Sequence, residues 1–252
     1  MAAARAEMDE IYAGLKEIER RRAVKVDLLL ICGDFQALRN EDDYEALAVP
    51  HKYREMGSFH RYFSGAAVAP VPTIVIGGNH EASNYMRDLF HGGWLAPNIY
   101  YLGAAGVVNF GGLRIAGASG IYKSGDYMRG HHERAPFDRS TLRSVYHVRQ
   151  LQVFQLAQLA RQGAPPLPSN PTVATTRGGG EAEAEKVGGG VVVVEQPPQQ
   201  QPVDVFMSHD WPRGIYRHGN VAALLKKREP DTKPARAQGD DPPGDASARH
   251  GF

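Results

Sequence analysis

The tightest constraint on this chain is a set of three short apolar runs, each stopping at polar residues able to bind a cation. Val26-Asp27-Leu28-Leu29-Leu30-Ile31-Cys32 ends in Gly33-Asp34. Thr73-Ile74-Val75-Ile76 ends in Gly77-Gly78-Asn79-His80-Glu81. Val203-Asp204-Val205-Phe206-Met207 ends in Ser208-His209-Asp210. Apolar runs of this length, bounded by turn residues, read as strands buried on both faces. Side chains at the carboxyl ends of neighbouring buried strands converge on one edge of a sheet, and glycine lets the backbone turn sharply there. A carboxylate, an amide oxygen and an imidazole form a mixed donor set suited to divalent manganese, iron or zinc. Taken singly, each feature has a plainer reading. Gly33-Asp34 is an ordinary turn, Asn79 a turn residue and His80 a loop histidine. His209 is a satisfied histidine near the core, and Cys32 a small buried side chain. The shared character of three separate turns favours the joint reading.

The remaining pattern is mixed α/β. Met8, Ile11, Tyr12, Leu15 and Ile18 recur at helical spacing and predict an amphipathic helix over Met8 to Arg22. Phe35 to Ala69 is polar and aromatic and reads as helical in part. Ile99 to Leu102, Val107 to Phe110 and Leu113 to Ala116 read as strands, with Gly111-Gly112 a hairpin turn. Val145, Val148, Leu151, Val153, Leu156 and Leu159 predict a helix over 140–160. Residues 162–202 contain 7 Gly and 7 Pro beside an EAEAE run and a Gln run. Such a stretch cannot bury enough apolar surface to offset the entropy of ordering, so it is expected to be a disordered insertion. The same composition argument makes 229–252 a disordered tail. Order is expected within 8–228.

Composition narrows the function. One Cys excludes a disulfide framework and Cys-based zinc fingers. No apolar run approaches the ~18 residues that span a bilayer, and the first residues do not read as a secretory leader. A formal net charge of +1 excludes a uniformly basic nucleic-acid coat, though not a local basic face. Residues 120–161 hold a local excess of positive charge, with 7 Lys plus Arg against 3 acids, and carry Tyr122, Tyr127, Phe137 and Tyr146. Basic side chains pair phosphates and aromatic rings stack on unpaired bases. An ordinary basic loop with a few packed tyrosines would look the same.

The motifs GD at 33–34, GNHE at 78–81 and SH at 208–209 resemble the metallophosphoesterase (calcineurin-like) superfamily. Longer strings are narrower: VDLLLICGDFQALRNEDD, RYFSG, PTIVIGGNHEASN, GGWLAPNIYYLGAAGVV, SGIYKSGDYMRGH, STLRSVYHVR and FMSHDWPRGIY. Together they resemble the lariat debranching family, which hydrolyses the 2′,5′-phosphodiester at the branch point of excised introns. The resemblance implies an α/β/β/α sandwich. It makes Asp34 the carboxylate bridging two divalent metals (Mn, Fe or Zn), and Asn79 and His209 ligands of the second metal. His80 would help protonate the leaving 2′-oxygen, a role matched by an imidazole pKa near working pH. Two cations can activate a water and neutralise charge on the phosphorus together, so no covalent protein nucleophile is implied. Residues 120–161 would be the family's lariat recognition loop, with Tyr122, Lys123, Tyr127, Arg129, Arg143, Tyr146, His147 and Arg149 contacting RNA. Branched intron RNA would be the partner, with no DNA and no membrane, and the intron substrate implies the nucleus.

Two of the superfamily's motifs do not occur. There is no Asp-x-His or Cys-x-His, the pair that ends the superfamily's first strand, and no His-x-His, the late ligand pair. The chain is therefore expected to be a debranching enzyme truncated at both ends of the catalytic domain, lacking the first strand and the last ligand-bearing strand. Two other readings stand beside the metal-dependent RNA phosphodiesterase. One is a catalytically impaired RNA-binding remnant of that enzyme. The other is a different metallophosphoesterase acting on small phosphoesters.

Overall fold

The computed structural model describes residues 7–159, 202–221 and 223. The predicted insertion, save Pro202, and the predicted tail 229–252 lie outside the described residues. The chain divides into two units, Met1–Asp210 and Trp211–Phe252. In the second, a 3-10 turn at Ile215–His218 follows Gly214, whose φ of 81° is left-handed.

The first unit opens with α1, Met8–Arg22, as the apolar spacing predicts. Asp9 and Glu10 in its first turn and Arg20, Arg21 and Arg22 in its last complement the helix dipole. Its buried face carries Met8 and Tyr12, and the Tyr12 hydroxyl lies 2.7 Å from Thr73 Oγ1. Next come β1 (Leu29–Cys32), 3-10 turns at Glu41–Ala46 and His51–Tyr53, α2 (Phe59–Phe63), β2 (Thr73–Ile76) and α3 (Ser83–Asp88). They are followed by β3 (Gly93–Ala96), β4 (Ile99–Tyr101), β5 (Ala105–Phe110) and β6 (Leu113–Ala118). The unit closes with α4 (Ser124–Tyr127), α5 (Thr141–Ser144), α6 (Gln150–Leu159) and β7 (Val205–Ser208).

Two sheets form, in the orders β1-β2-β4-β3 and β5-β6-β7. β1, β2 and β4 are parallel, and β3 runs antiparallel to β4. β5 and β6 make the expected hairpin, with Gly111 and Gly112 both at positive φ, and β7 adds in parallel to β6. The period of two along each strand sorts side chains into layers. Ile74, Ile76, Tyr100 and Leu102 of the first sheet pack on Val108, Ile115 and Met207 of the second. Val75, Ile99 and Tyr101 face the other way, onto Met8 and Tyr12 of α1, Phe59, and Tyr85 and Met86 of α3. Val107 and Ala116 meet Leu156 of α6 on the far side. The result is the helix/sheet/sheet/helix sandwich that the resemblance implies.

Three expectations need correction. β1 and β7 are not buried on both faces: no residue of β1 and only Met207 of β7 is buried, and each lies at the edge of its sheet among the described residues. Phe206 is accordingly 56% exposed, and Cys32 is exposed rather than a small core residue. The predicted helix over 140–160 breaks into α5 and α6. Residues between them pair with Ile121, whose carbonyl accepts the Val148 N–H and whose N–H reaches the Tyr146 carbonyl. The side chain of Gln152 accepts the Arg149 N–H at 2.9 Å and so starts α6 afresh. Leu151, Val153 and Phe154 consequently face solvent, and only Leu156 of the predicted stripe is buried. β3 lacked a signal because Gly93-Trp94-Leu95-Ala96 shows no alternation.

Candidate metal centre

The parallel strands β1 and β2 lie in register, with Cys32 opposite Ile76, so their carboxyl-terminal turns emerge side by side. Gly33 has φ of 94° and Asp34 of 56°, a left-handed pair that folds the Asp34 carboxylate back over the strand ends. Its Oδ1 accepts the N–H groups of Asn79 at 3.1 Å and His80 at 3.0 Å. The packing there leaves no room for side chains. A Cβ on Gly78 would lie 2.3 Å from Asp34 Oδ1, and one on Gly33 would lie 2.5 Å from His209 Nδ1.

His209, after β7, completes the rim. Its Nδ1 lies 2.8 Å from the Cys32 carbonyl oxygen, which can only accept, so Nδ1 carries a proton. Nε2 then lies 3.1 Å from Asn79 Oδ1 and 3.4 Å from Asp34 Oδ1. In the neutral ring that nitrogen turns a lone pair toward two oxygens. Nε2 and the two oxygens that flank it can each offer a lone pair to a divalent cation. The tautomer set by the Cys32 carbonyl is the one a metal-binding histidine needs. The residues present therefore fit a cation. No group of three or more His, Cys, Asp or Glu side chains placed to hold a metal ion occurs among the described residues. The rim has two such side chains, and the amide of Asn79 is the third donor.

His80 sits beside this rim, half-buried, with its backbone tied to Asp34. Its Nδ1 is buried and has no hydrogen-bond partner among the described residues, leaving the ring available for proton transfer. Glu81 is a residue that the sequence reading passed over, although it stands in the GNHE motif. It is 3% exposed, and its carboxylate accepts the N–H groups of Phe35 at 3.0 Å, Gln36 at 2.8 Å and Gly78 at 2.8 Å. Burial pushes its carboxyl up to about 7 against the pull of those three donors. Glu81 thus staples the turn after β1 to the turn after β2. A Glu directly after the Asn-His pair was the available signal.

The loop after β6 is rooted at the same strand ends. The Gly120 N–H donates to the Gly77 carbonyl at 2.8 Å, and the Tyr122 N–H donates to Asp210 Oδ2 at 2.5 Å. Tyr122 is 59% exposed, with its ring centroid 5.4 Å from that of Tyr127. Lys123, Arg129 and Arg143 are exposed. His147 Nδ1 pairs with Asp126 Oδ2 at 2.7 Å. Tyr146 is half-buried; burial pushes its hydroxyl up, the Arg143 cation opposes this, and the Asp34 carboxylate adds to it. That ring therefore lies within electrostatic reach of both the rim and Arg143.

Arg149 is a correction to the expected RNA contacts. Its side chain is 0% exposed and holds the loop together from inside. Nη2 donates to Glu133 Oε1 at 2.6 Å and to the Ser144 carbonyl at 3.0 Å, and Nη1 to the Asp126 carbonyl at 2.7 Å. A guanidinium spent in this way has no face left for a phosphate. Glu133, equally buried, feels burial pushing its carboxyl up. The Ser144 hydroxyl, a backbone N–H and the Arg149 charge outweigh it and hold the group at about 2.

A family model described as calcineurin-like phosphoesterase matches residues 5–232. Lariat debranching enzyme A of Xenopus laevis is 48% identical over 223 residues, covering 88% of this chain and 34% of that protein. The lariat debranching enzyme of Drosophila melanogaster is 49% identical over 225 residues, covering 89% and 35%. That of Arabidopsis thaliana is 46% identical over 222 residues, covering 88% and 44%. The chain thus spans about a third of the length of the two animal relatives. With the match running through both sheets and all three strand-end turns, the chain belongs to the calcineurin-like phosphoesterase family, whose members use divalent metals.

Proposed function

We propose that this chain acts on branched intron RNA, hydrolysing the 2′,5′-phosphodiester of lariats in mRNA processing, in the nucleus. The observation that carries the reading is the joining of two parts. A three-donor rim at Asp34, Asn79 and His209 shares its strand ends with the root of a basic, aromatic loop. Relatives named lariat debranching enzymes, at 46–49% identity, support the same substrate.

Asp34, Asn79 and His209 would hold a divalent cation, with manganese, iron and zinc all matching the mixed oxygen/nitrogen donors. Such a cation activates water and neutralises charge on a phosphoryl group. Asp34 keeps its carboxylate aimed by accepting two backbone N–H groups. The Cys32 carbonyl fixes the His209 tautomer. His80, whose backbone N–H is held by the Asp34 carboxylate, delivers a proton to the leaving oxygen. Tyr122 and Tyr127 offer faces on which unpaired bases stack, and Lys123 and Arg129 pair backbone phosphates.

The test is metal content together with cleavage of a synthetic branched RNA by the purified chain. Bound manganese with release of the 2′ branch supports the reading. Cleavage of a small phosphodiester but not of branched RNA overturns the substrate. Binding of branched RNA without cleavage reduces the function to RNA binding.

A further inference from the structure

The geometry points to a phosphate-binding subsite within the recognition loop, walled by Arg129, His132, Arg139 and Arg143, none of which belongs to the three-donor rim. It rests on the RNA reading above and adds a second anchoring point to it. The four side chains border one cavity of about 430 Å³. They come from the end of α4, the turn that follows it, and the segment that enters and forms α5.

Acids reach two of the four cations, Arg129 and His132. Asp126, the one carboxylate on the wall, is held by His147 at 2.7 Å, with Arg129 at 3.5 Å and Arg149 at 3.7 Å. Glu133, 3.9 Å from His132, is fully buried against Arg149 and Ser144. Asp138 spends its Oδ1 on the N–H groups of Ser140 and Thr141, each at 2.7 Å, and on the Thr141 hydroxyl at 3.0 Å. The side chains of Arg139 and Arg143 consequently make no hydrogen bond or ion pair among the described residues. Arg139 and Arg143 border one space with no carboxylate paired to either among the described residues, while Arg129 shares Asp126 with His147 and Arg149. A phosphate oxyanion supplies that missing partner and matches their planar donor forks. Arg129 is 66% exposed and His132 56%, so the cavity opens to solvent and admits a phosphate within a polymer. Arg143 also neighbours Tyr146, which senses Asp34. An RNA strand lying along the loop from the rim would bring a flanking phosphate here.

The shared chemistry is a phosphate group, supplied by an RNA backbone or by free phosphate. The experiment measures fluorescence anisotropy of a labelled single-stranded RNA across a KCl series, using the full chain. It is paired with calorimetric titration of inorganic phosphate. Arg139→Gln with Arg143→Gln is compared with Arg134→Gln, an exposed arginine of the same loop that does not border the cavity. Thermal midpoints confirm that each variant is folded, and Arg139→Gln alone replaces the double variant if that one is not. The double variant is expected to lose about tenfold in RNA affinity at low salt. Its slope of log affinity against log salt should shrink by about 0.7, one single-strand phosphate. Arg134→Gln should change affinity by less than about twofold. Equal losses in both variants, or no loss in the double variant, overturn the subsite while RNA binding by the unmodified chain leaves the proposed function standing. Phosphate binding that the double variant loses, with no RNA binding by the unmodified chain, supports the subsite and fails the RNA reading. Binding of neither overturns both.

Discussion

The three-donor rim and the recognition loop are neighbours built by opposite means. The rim is held by backbone. Paired strands set Asp34 and Asn79 side by side, glycines 33 and 78 admit close approach, and N–H groups aim the carboxylates of Asp34 and Glu81. Before α6 the loop has only two four-residue helices, and a buried ion pair between Arg149 and Glu133 gathers its limbs. A backbone scaffold positions donors finely and tolerates side-chain change away from the site. A buried ion pair concentrates the stability of a whole loop in two residues.

This contrast can be broken at four points. The largest effect is expected from Asp34→Ala, which removes the carboxylate that Asn79, His80 and His209 all address. Manganese affinity by calorimetry should fall more than about 100-fold with the loop intact; unchanged affinity would remove Asp34 from the site. Next is Arg149→Met, which leaves Glu133 charged and buried and should cost about 3–5 kcal/mol in urea unfolding. Adding Glu133→Leu should recover most of that loss, because an apolar pair replaces a buried ion pair at little net cost. A double variant as unstable as the single would mean that the pair does more than satisfy itself. Third, Gly78→Ala forces a Cβ to 2.3 Å from Asp34 Oδ1 and 2.5 Å from Asp34 N. It should destabilise by about 1–3 kcal/mol and weaken manganese binding, whereas Gly125→Ala, with open space around it, should do neither.

The smallest effect is on acid sensitivity. The Glu133 carboxyl sits at about 2 in the fold against an ordinary 4.5, so its stabilisation is complete above about 4.5 and is lost as pH falls from there through about 2. His131, beside it, is held below its ordinary 6.5, chiefly by burial, so its contribution begins to fade as pH falls below about 6.5. Hydrogen exchange at Ser144 to Arg149 should accelerate over this range. The Glu133→Leu/Arg149→Met chain should lack the part below about 4.5, and retention of that part would place the acid response elsewhere.

Much of the rim was legible in the sequence. Asp34, Asn79 and His209 were readable because a short apolar run ending in Gly and a donor leaves the chain few places to put that donor. The sandwich was implied by the family resemblance, and the apolar runs and the Gly111-Gly112 hairpin are compatible with it. The loop was legible only as composition. Arg149 and Arg143 read alike in the sequence, both basic residues among tyrosines, and nothing local distinguishes the one at 0% exposure from the exposed one. The break between α5 and α6 was hidden for the same reason, since it depends on Ile121, over twenty residues earlier.

The amino-acid order by itself determined where the strands end and which chemical groups stand at those ends, because local apolar runs and glycines act over a few residues. Only the tertiary structure decided that His209 Nε2 comes within 3.1 Å of Asn79 Oδ1 and 3.4 Å of Asp34 Oδ1, that β1 and β7 lie at edges among the described residues, and that Arg149 turns inward while Arg143 faces water. Those outcomes depend on contacts between residues far apart in the chain, and the cost of burying a charge is settled only when its partner arrives.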